Sequence, residues 1–483
     1  MQQSAARVFG DYIAGLSLDD LPIDVVGKAK DCLLDSIGCL LGAYALPLAG
    51  ILDGFVKDVA STGTSPILGS DRRTDLATAA FVHATLINAL DFDDIYRKGH
   101  PGATVISAAL TVAAHIDSSG SELLAAIIAG YEVSGRVGMS LTHLHPRKTI
   151  HGHGTWQVFG AVAAVSKLLK LDPMQCAHAI AIAAANAPVA SVMKTVYGHQ
   201  PTMAKNNFGT AAQTGVNAAF LAKNGFEGPL DIFEGETGFW RMAGADGSDN
   251  ARLTTGLGQT FEIRAVGFKP FSCCRILQSS IQASVLVFSN AKISPASDSF
   301  KRLVVTAPSI VCEPPFNQPA PNDAWAAQFS APYAVAMALF EIEPGPAWSS
   351  EAWLHSDAVA GLMAKIELRA HGRQSASGAH HAAIAQLQTV DDQVFEAEVK
   401  IALGEAENPL GHQFLEEKFR RLAMPRIGAV RSERLLASVT EIRDCPSINH
   451  VLTLLGPEEK TMDALELRQC DKICDGRRGC CRP

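Results

Sequence analysis

The segment Asn88-Ala-Leu-Asp91-Phe92-Asp93-Asp94-Ile95-Tyr96-Arg97-Lys98-Gly99-His100-Pro101-Gly102 gathers three carboxylates and an imidazole at the break between an apolar helix and one opened by a proline. Asp91 and Asp94, three residues apart, can share one helical face. Pro101 suits the first turn of a helix, which leaves His100 as its cap near the positive end. Such a group can move protons, and three acids near one cap can also hold a divalent cation. Equally, they can cap helix ends and solvate an acidic turn.

Two further groups carry chemical potential. Thr149-Ile-His151-Gly-His153-Gly-Thr155 sets two histidines on a glycine-rich approach to an alanine-rich helix. Glycine lets a ligand come close to the backbone, and imidazole suits proton transfer near neutral pH or zinc ligation. The H-x-H pair has no third ligand in sequence, and a structural hydrogen-bonding role stands beside both functional ones. Lys194, Lys205, Lys269 and Arg275 are cations in otherwise apolar surroundings. A buried cation is costly unless it meets an acid or an anionic ligand, and the arginine fork matches carboxylates at two points. The alternative is an internal ion pair with Asp91 or Asp93.

The elements that must position these groups are helical up to about residue 265, with apolar spacing of three and four in Val25–Leu41, Asp75–Ala89 and Leu123–Met139. Asp172-Pro173 opens an alanine-rich helix through Ala185, and Gly225 closes one that starts near Asn207. The small-residue stretches Ala177–Ala187 and Ala211–Ala222 belong at the centre of the helical part, where backbones can approach closely. Near Phe261 the pattern turns to short strands, namely Phe261–Val266, Arg302–Ala307, Ala364–Ala370, Ala383–Val390 and Val394–Ile401. Helices at Gln278–Phe288 and Ala331–Leu339 stand among them, and proline-rich Cys312–Asp323 is a loop. Helical spacing returns in Gln413–Leu422, Ser432–Ile442 and Ile448–Leu455. The expected fold is mainly α with an α+β part: a large helical domain, 1–265 and 405–460, interrupted by a smaller α+β lid, 266–404, with a loose Cys-rich tail, 461–483. A ligand cleft is expected at the domain interface.

Composition narrows the function classes. The 483 residues are 47% apolar and 19% charged, an ordinary globular make-up with room for two or three domains. Lys plus Arg number 41 against 49 Asp plus Glu, a formal charge of −8, so no basic footprint for nucleic acid or an anionic membrane exists. No phosphate-binding G-x-x-x-x-G-K-[ST], dinucleotide fingerprint or nucleophile elbow is found. Seven cysteines up to Cys445 are scattered without hook spacing and read as reduced thiols; Cys470, Cys474, Cys480 and Cys481 lack the paired hooks of zinc sites. No stretch makes a clean membrane span, and Met1–Ala14 lacks the basic start and apolar core of a secretory signal, so a cytoplasmic address is expected.

Asp11-Tyr-Ile-Ala-Gly-Leu16, Ala29-Lys-Asp-Cys-Leu-Leu-Asp35-Ser-Ile-Gly38, the Asp91-to-Pro101 turn, His151, Phe159-Gly160, Gly209-Thr-Ala-Ala-Gln-Thr-Gly215 and Gly267-Phe-Lys-Pro-Phe-Ser-Cys-Cys274 together resemble the MmgE/PrpD family, to about residue 455. The resemblance implies a large helical domain with an α+β lid, usually a homodimer, acting on small di- or tricarboxylates without metal or other cofactor. It implies catalytic positions at Asp91, His100, His151 and Lys269, with Asp94, Lys205, Arg275 and His153 as substrate-binding candidates. The chain departs from the family pattern in four places. Ile95 stands where a hydroxyl is frequent, Ala204 replaces a lysine with Lys205 one position on, and Asn207 replaces a histidine. The lid tyrosine of the decarboxylases has no counterpart around Val311–Glu313.

Dehydration, decarboxylation and epimerisation can each pass through negative charge on carbon beside a carboxylate, which cations stabilise in a closed cleft. Lys269, with Arg275 or Lys205, would hold that charge, His151 and His100 would move protons, and Asp91 would orient a histidine, hold Lys269 or act as base. Dehydration of a citrate- or 2-methylcitrate-like acid is the first expectation. Decarboxylation of a cis-aconitate-like acid or epimerisation of a dicarboxylate comes second, and non-catalytic polycarboxylate binding third. Alanine at Lys269 or His151 is expected to abolish turnover and leave the fold intact.

Overall fold

The computed structural model describes residues 3–456 apart from 60–61, 98, 142–151, 191, 196–202, 246 and 372–380, and the side chains of 152–153, 192–193 and 203–206 are also outside the description. The expected Cys470–Cys481 tail and His151 therefore lie outside the described residues.

Apolar side chains sort into two cores. One draws on residues from Ala5 to Phe268 and again from Leu415 to Leu455; the other runs from Cys273 to Ala397. The first is built of helices, among them Ile23–Gly42, Leu76–Asn88, Pro101–Ile116, Gly120–Leu141, Gly152–Leu168, Pro173–Ala185 and Met203–Lys223. Small residues let them close up: a Cβ on Gly160 would stand 3.1 Å from the carbonyl oxygen of Gly130 and 2.6 Å from the Val105 side chain, so two helices meet there backbone to backbone with Val105 of a third packed on them. The expected start at Asp172 is a full capping box, with the Gln175 amide donating to Asp172 Oδ1 at 2.8 Å and Gln175 Oε1 accepting from the Asp172 amide at 3.1 Å.

The second core lies against a four-stranded sheet in the order Ile366–Ala370, Phe300–Ala307, Ala383–Thr389, Val394–Val399. The first pair is parallel, in the register Leu303 with Ile366; the others are antiparallel. Ala383–Thr389 buries every second side chain, and Gln278–Ala291 packs on that face with Ala331–Leu339 behind it. The chain then returns to the helical core through His412–Ile427 and Ala429–Thr440, within three residues of the expected bounds at each start. The fold is mainly α with an α+β part, as the periodicity implies.

Two local expectations are corrected. Phe261–Val266 is not a strand: Glu262–Ala265 forms a 3-10 turn, because Glu262 is pinned by its amide donating to Glu132 Oε2 at 2.7 Å and by Tyr96 donating to its carboxylate. The strand here is Val266–Gly267 alone, paired antiparallel with Ile95–Tyr96. Asp91 and Asp94 do not share a helical face, since the helix ends at Asn88 and Asp91 takes a left-handed φ of 48°. No single described helix is long and apolar enough to cross a membrane.

Candidate active site at the acidic turn

The two-residue ladder between Ile95–Tyr96 and Val266–Gly267 fixes the site. It lays the segment leading to Lys269 beside the acidic turn, where the two cores meet. From the lid side, Gln328 donates to the carbonyl of Ala89 at 2.9 Å and accepts from the Cys274 amide at 2.8 Å, tying both segments together.

Lys269 is fully buried, and its ammonium donates to Asp91 Oδ1 at 2.6 Å and to the Asp91 carbonyl at 2.7 Å, with Asp93 Oδ1 at 3.8 Å. Burial alone would lower the lysine pKa, but the charges of Asp91 and Asp93 outweigh it and hold the group above its ordinary range. An ammonium has three N–H donors, and Asp91 takes two of them. The third has no acceptor within hydrogen-bond distance among the described residues.

His100 Nδ1 lies 2.8 Å from the carbonyl oxygen of Asp94 and 3.5 Å from Asp93 Oδ1, while Nε2 lies 3.8 Å from Asp91 Oδ1. A carbonyl can only accept, so Nδ1 carries a proton and the Nε2 edge faces Asp91. Asp93 is fixed by Asn88, whose Nδ2 donates to both carboxylate oxygens at 3.0 Å. Asp94 accepts from the Gly102 amide at 3.1 Å and from Tyr131 at 2.7 Å, so it caps the Pro101–Ile116 helix with its carboxyl in the core. Burial, reinforced by the nearby charge of Asp93, pushes Asp94 well above the usual carboxylate range. That role accounts for its carboxyl without substrate.

Asp91, Asp93 and His100 present one ligand atom each within 4.8 Å of one another, the spacing a metal ion would need. The Lys269 ammonium already sits between the two carboxylates, so a divalent ion would have to displace it.

Among the other candidates, Arg275 is half-buried and forks onto Glu405, with Nε on Oε1 at 2.8 Å and Nη2 on Oε2. Lys194 is exposed. His151 lies outside the described residues, as do the side chains of His153 and Lys205. The helices that follow do reach the turn: the Phe208 and His100 rings meet edge to face at 6.0 Å, and a Cβ on Gly154 would stand 2.9 Å from the Asn207 carbonyl oxygen. The expectation that Lys269→Ala leaves the fold intact is corrected, since Lys269 is a core side chain holding buried acids.

Three residues near the site carry no role in the sequence reading, although Asp35 falls within a family motif. Tyr131 and the pair Asp35–Lys418 stand behind the turn, with Lys418 Nζ donating to Asp35 Oδ1 at 2.6 Å. A signal existed for Lys418: it falls between Leu415, Phe419 and Leu422 on the apolar face of its helix, where a cation needs a buried partner.

Residues 7–250 match the MmgE/PrpD N-terminal domain and residues 271–443 the MmgE/PrpD C-terminal domain; the chain belongs to the MmgE/PrpD family. Lys269 and its short ladder strand fall between the two matched stretches. Among curated proteins, the chain is 26% identical over 489 residues to a cis-aconitate decarboxylase-like protein of Aspergillus oryzae, covering 93% of this chain and 96% of that protein. It is 26% identical over 470 residues to the cis-aconitate decarboxylase of Homo sapiens, covering 95% and 96%. To the mitochondrial 2-methylcitrate dehydratase of Yarrowia lipolytica it is 28% identical over 248 residues, 48% of this chain and 46% of that one.

Proposed function

We propose that this protein is a metal-independent lyase that decarboxylates a small tricarboxylate of the cis-aconitate type. The observation that carries the reading is the Lys269 ammonium, buried, held by Asp91 through two of its three donors, with the third lacking an acceptor among the described residues and assigned in this reading to a substrate carboxylate. Loss of carbon dioxide breaks a carbon–carbon bond and leaves its electron pair conjugated with a remaining carboxylate. A fixed cation stabilises that charge, and a proton delivered to carbon completes the product. In this reading His100, its Nδ1 proton committed to the Asp94 carbonyl, works through Nε2. The order of the two leading expectations is reversed here because the Aspergillus oryzae and human decarboxylase relatives align over nearly the whole chain and the Yarrowia dehydratase over half. That shared half keeps dehydration of a 2-methylcitrate-like acid as the second reading.

The test is proton NMR in deuterium oxide with EDTA, with citrate, 2-methylcitrate, cis-aconitate and an amino-dicarboxylate in separate tubes. Itaconate-type methylene signals from cis-aconitate are expected. Collapse of the 2-methylcitrate methyl doublet to the singlet of a methyl on a double bond, or a new vinyl signal if the methylene proton is lost instead, would establish the second reading, and proton exchange at carbon without net loss would indicate an epimerase. Turnover that EDTA abolishes would refute metal independence, and silence in every tube with a folded protein would refute lyase action on these acids.

A further inference from the structure

Behind the acidic turn lies a second buried lysine–aspartate pair. Lys418, 1% exposed, projects from the His412–Ile427 helix of the C-terminal return, and Asp35, 2% exposed, from the Ile23–Gly42 helix. The Lys418 ammonium donates to Asp35 Oδ1 at 2.6 Å, to the carbonyl of Phe92, and at a longer 3.5 Å to the carbonyl of Lys269. It also stands 3.9 Å from the centroid of the Phe92 ring.

The acceptors decide the role. Phe92 is the residue between Asp91 and Asp93, and Lys269 is the partner of Asp91. One ammonium therefore grips the main chain of both segments whose side chains form the Asp91–Lys269 pair. All three of its N–H donors are occupied, so none remains for a substrate, in contrast to Lys269. An apolar side chain of similar length would fill the same space without the desolvation cost of a buried ion pair. The hydrogen bonds to two carbonyls are what the charge adds.

We infer that Lys418, with Asp35 as its counter-ion, is a positioning pair that sets the alignment of Asp91 with Lys269. This inference rests on the lyase reading for its kinetic readout but not for its structural one. The variants are Lys418→Met and the double substitution Lys418→Met with Asp35→Leu, which removes both charges. The double variant should melt at or above the wild-type temperature, because apolar volume replaces a buried ion pair. Its kcat on cis-aconitate should nonetheless fall by about 100-fold, the scale of a misplacement near 1 Å, with KM within about threefold of wild type.

A double variant that folds and retains kcat within twofold overturns the inference. So does a double variant that fails to fold, since the pair would then be a folding element. If wild-type protein turns over none of the acids, the lyase reading fails. A crystal structure of the double variant then tests the positioning claim by itself: the 2.6 Å contact between Lys269 and Asp91 should be lost or lengthened, and its retention overturns the claim.

Discussion

Lys269→Met removes a cation without opening a large cavity, and its cost can be worked from the geometry. At an effective dielectric constant of 20, charges separated by the 2.6 Å between Lys269 Nζ and Asp91 Oδ1 attract by about 6 kcal/mol before desolvation. Removing one partner of a buried pair costs about 3–5 kcal/mol net, because the other is left as an uncompensated charge. Here two carboxylates are left, Asp91 at 5% side-chain exposure and Asp93 at none. They can relieve the strain by taking up a proton. In the variant a carboxyl of this group, left with His100 and its other partners but without the ammonium, has its folded-state pKa raised above the unfolded value, so the folded state binds more protons than the unfolded one and regains stability as pH falls. The deficit should therefore be about 3–5 kcal/mol near pH 8. It should shrink by about 1.4 kcal/mol per pH unit as that carboxyl protonates. Calorimetric melting of wild type and variant between pH 8 and pH 5.5 reads this directly. Lys170→Met, which removes an exposed ion pair with Glu122, is the control and should shift stability by less than about 0.5 kcal/mol at every pH. Melting curves of Lys269→Met that stay parallel to wild type, or that differ by less than about 1 kcal/mol, would refute the reasoning.

Two companion substitutions test the other buried acids. Asp94→Asn should change stability by no more than about 1 kcal/mol in thermal melts, because burial and Asp93 already hold that carboxyl toward its neutral form and an amide oxygen can still accept from Gly102 and Tyr131. A loss of several kcal/mol would mean that Asp94 is ionised. Glu132, paired with Arg136 at 2.6 Å in the core, is pushed up to about 7 mainly by burial. Its folded-state value lies above its unfolded one, so the associated stability is present below about pH 4.5 and is lost as pH rises through about 7, amounting to at most about 3 kcal/mol. Glu132→Gln should flatten the stability profile between those limits, and a profile parallel to wild type would exclude Glu132 as its source.

What could be read from the chain, and what could not, divides by range. The helix from Pro173 to Ala185 and the one from Ala331 to Leu339 were legible to the residue because their caps lie within four positions of their starts. The Phe261–Val266 alternation misled because its extended look is overridden by side-chain bonds to Glu132 and Tyr96, 130 and 166 residues away. Asp91 and Lys269 were each recognisable as candidates by type. Their contact spans 178 residues, and the short ladder that makes it has no local signature. Arg275 reads by type as a cation awaiting a ligand, whereas its fork meets Glu405, 130 residues further along the chain. Lys418 and Asp35 are 383 residues apart, and only the apolar face on which the lysine sits announced a buried partner.

The two leading reactions also differ in how many protons the site must handle. Dehydration needs a proton removed from carbon and another delivered to the departing hydroxyl; decarboxylation of an unsaturated acid needs one delivered to carbon. Two positions where the resemblance places proton-handling groups are altered here. Ile95 has no ionisable atom, is 2% exposed and is locked in the ladder opposite Gly267. Asn207 offers an amide that donates and accepts hydrogen bonds without titrating near neutral pH. Meanwhile the charge-holding parts, Lys269 seated on Asp91 and His100 oriented by the Asp94 carbonyl, are intact. Among the described residues the site keeps its fixed cation and one oriented imidazole, and Ile95 and Asn207 stand where a hydroxyl and an imidazole are frequent, which suits the reaction with the fewer proton transfers. The altered proton-handling positions thus support the proposed decarboxylation, while Ala204 in place of a family lysine and the missing lid tyrosine leave Lys269 as the cation on which that proposal rests.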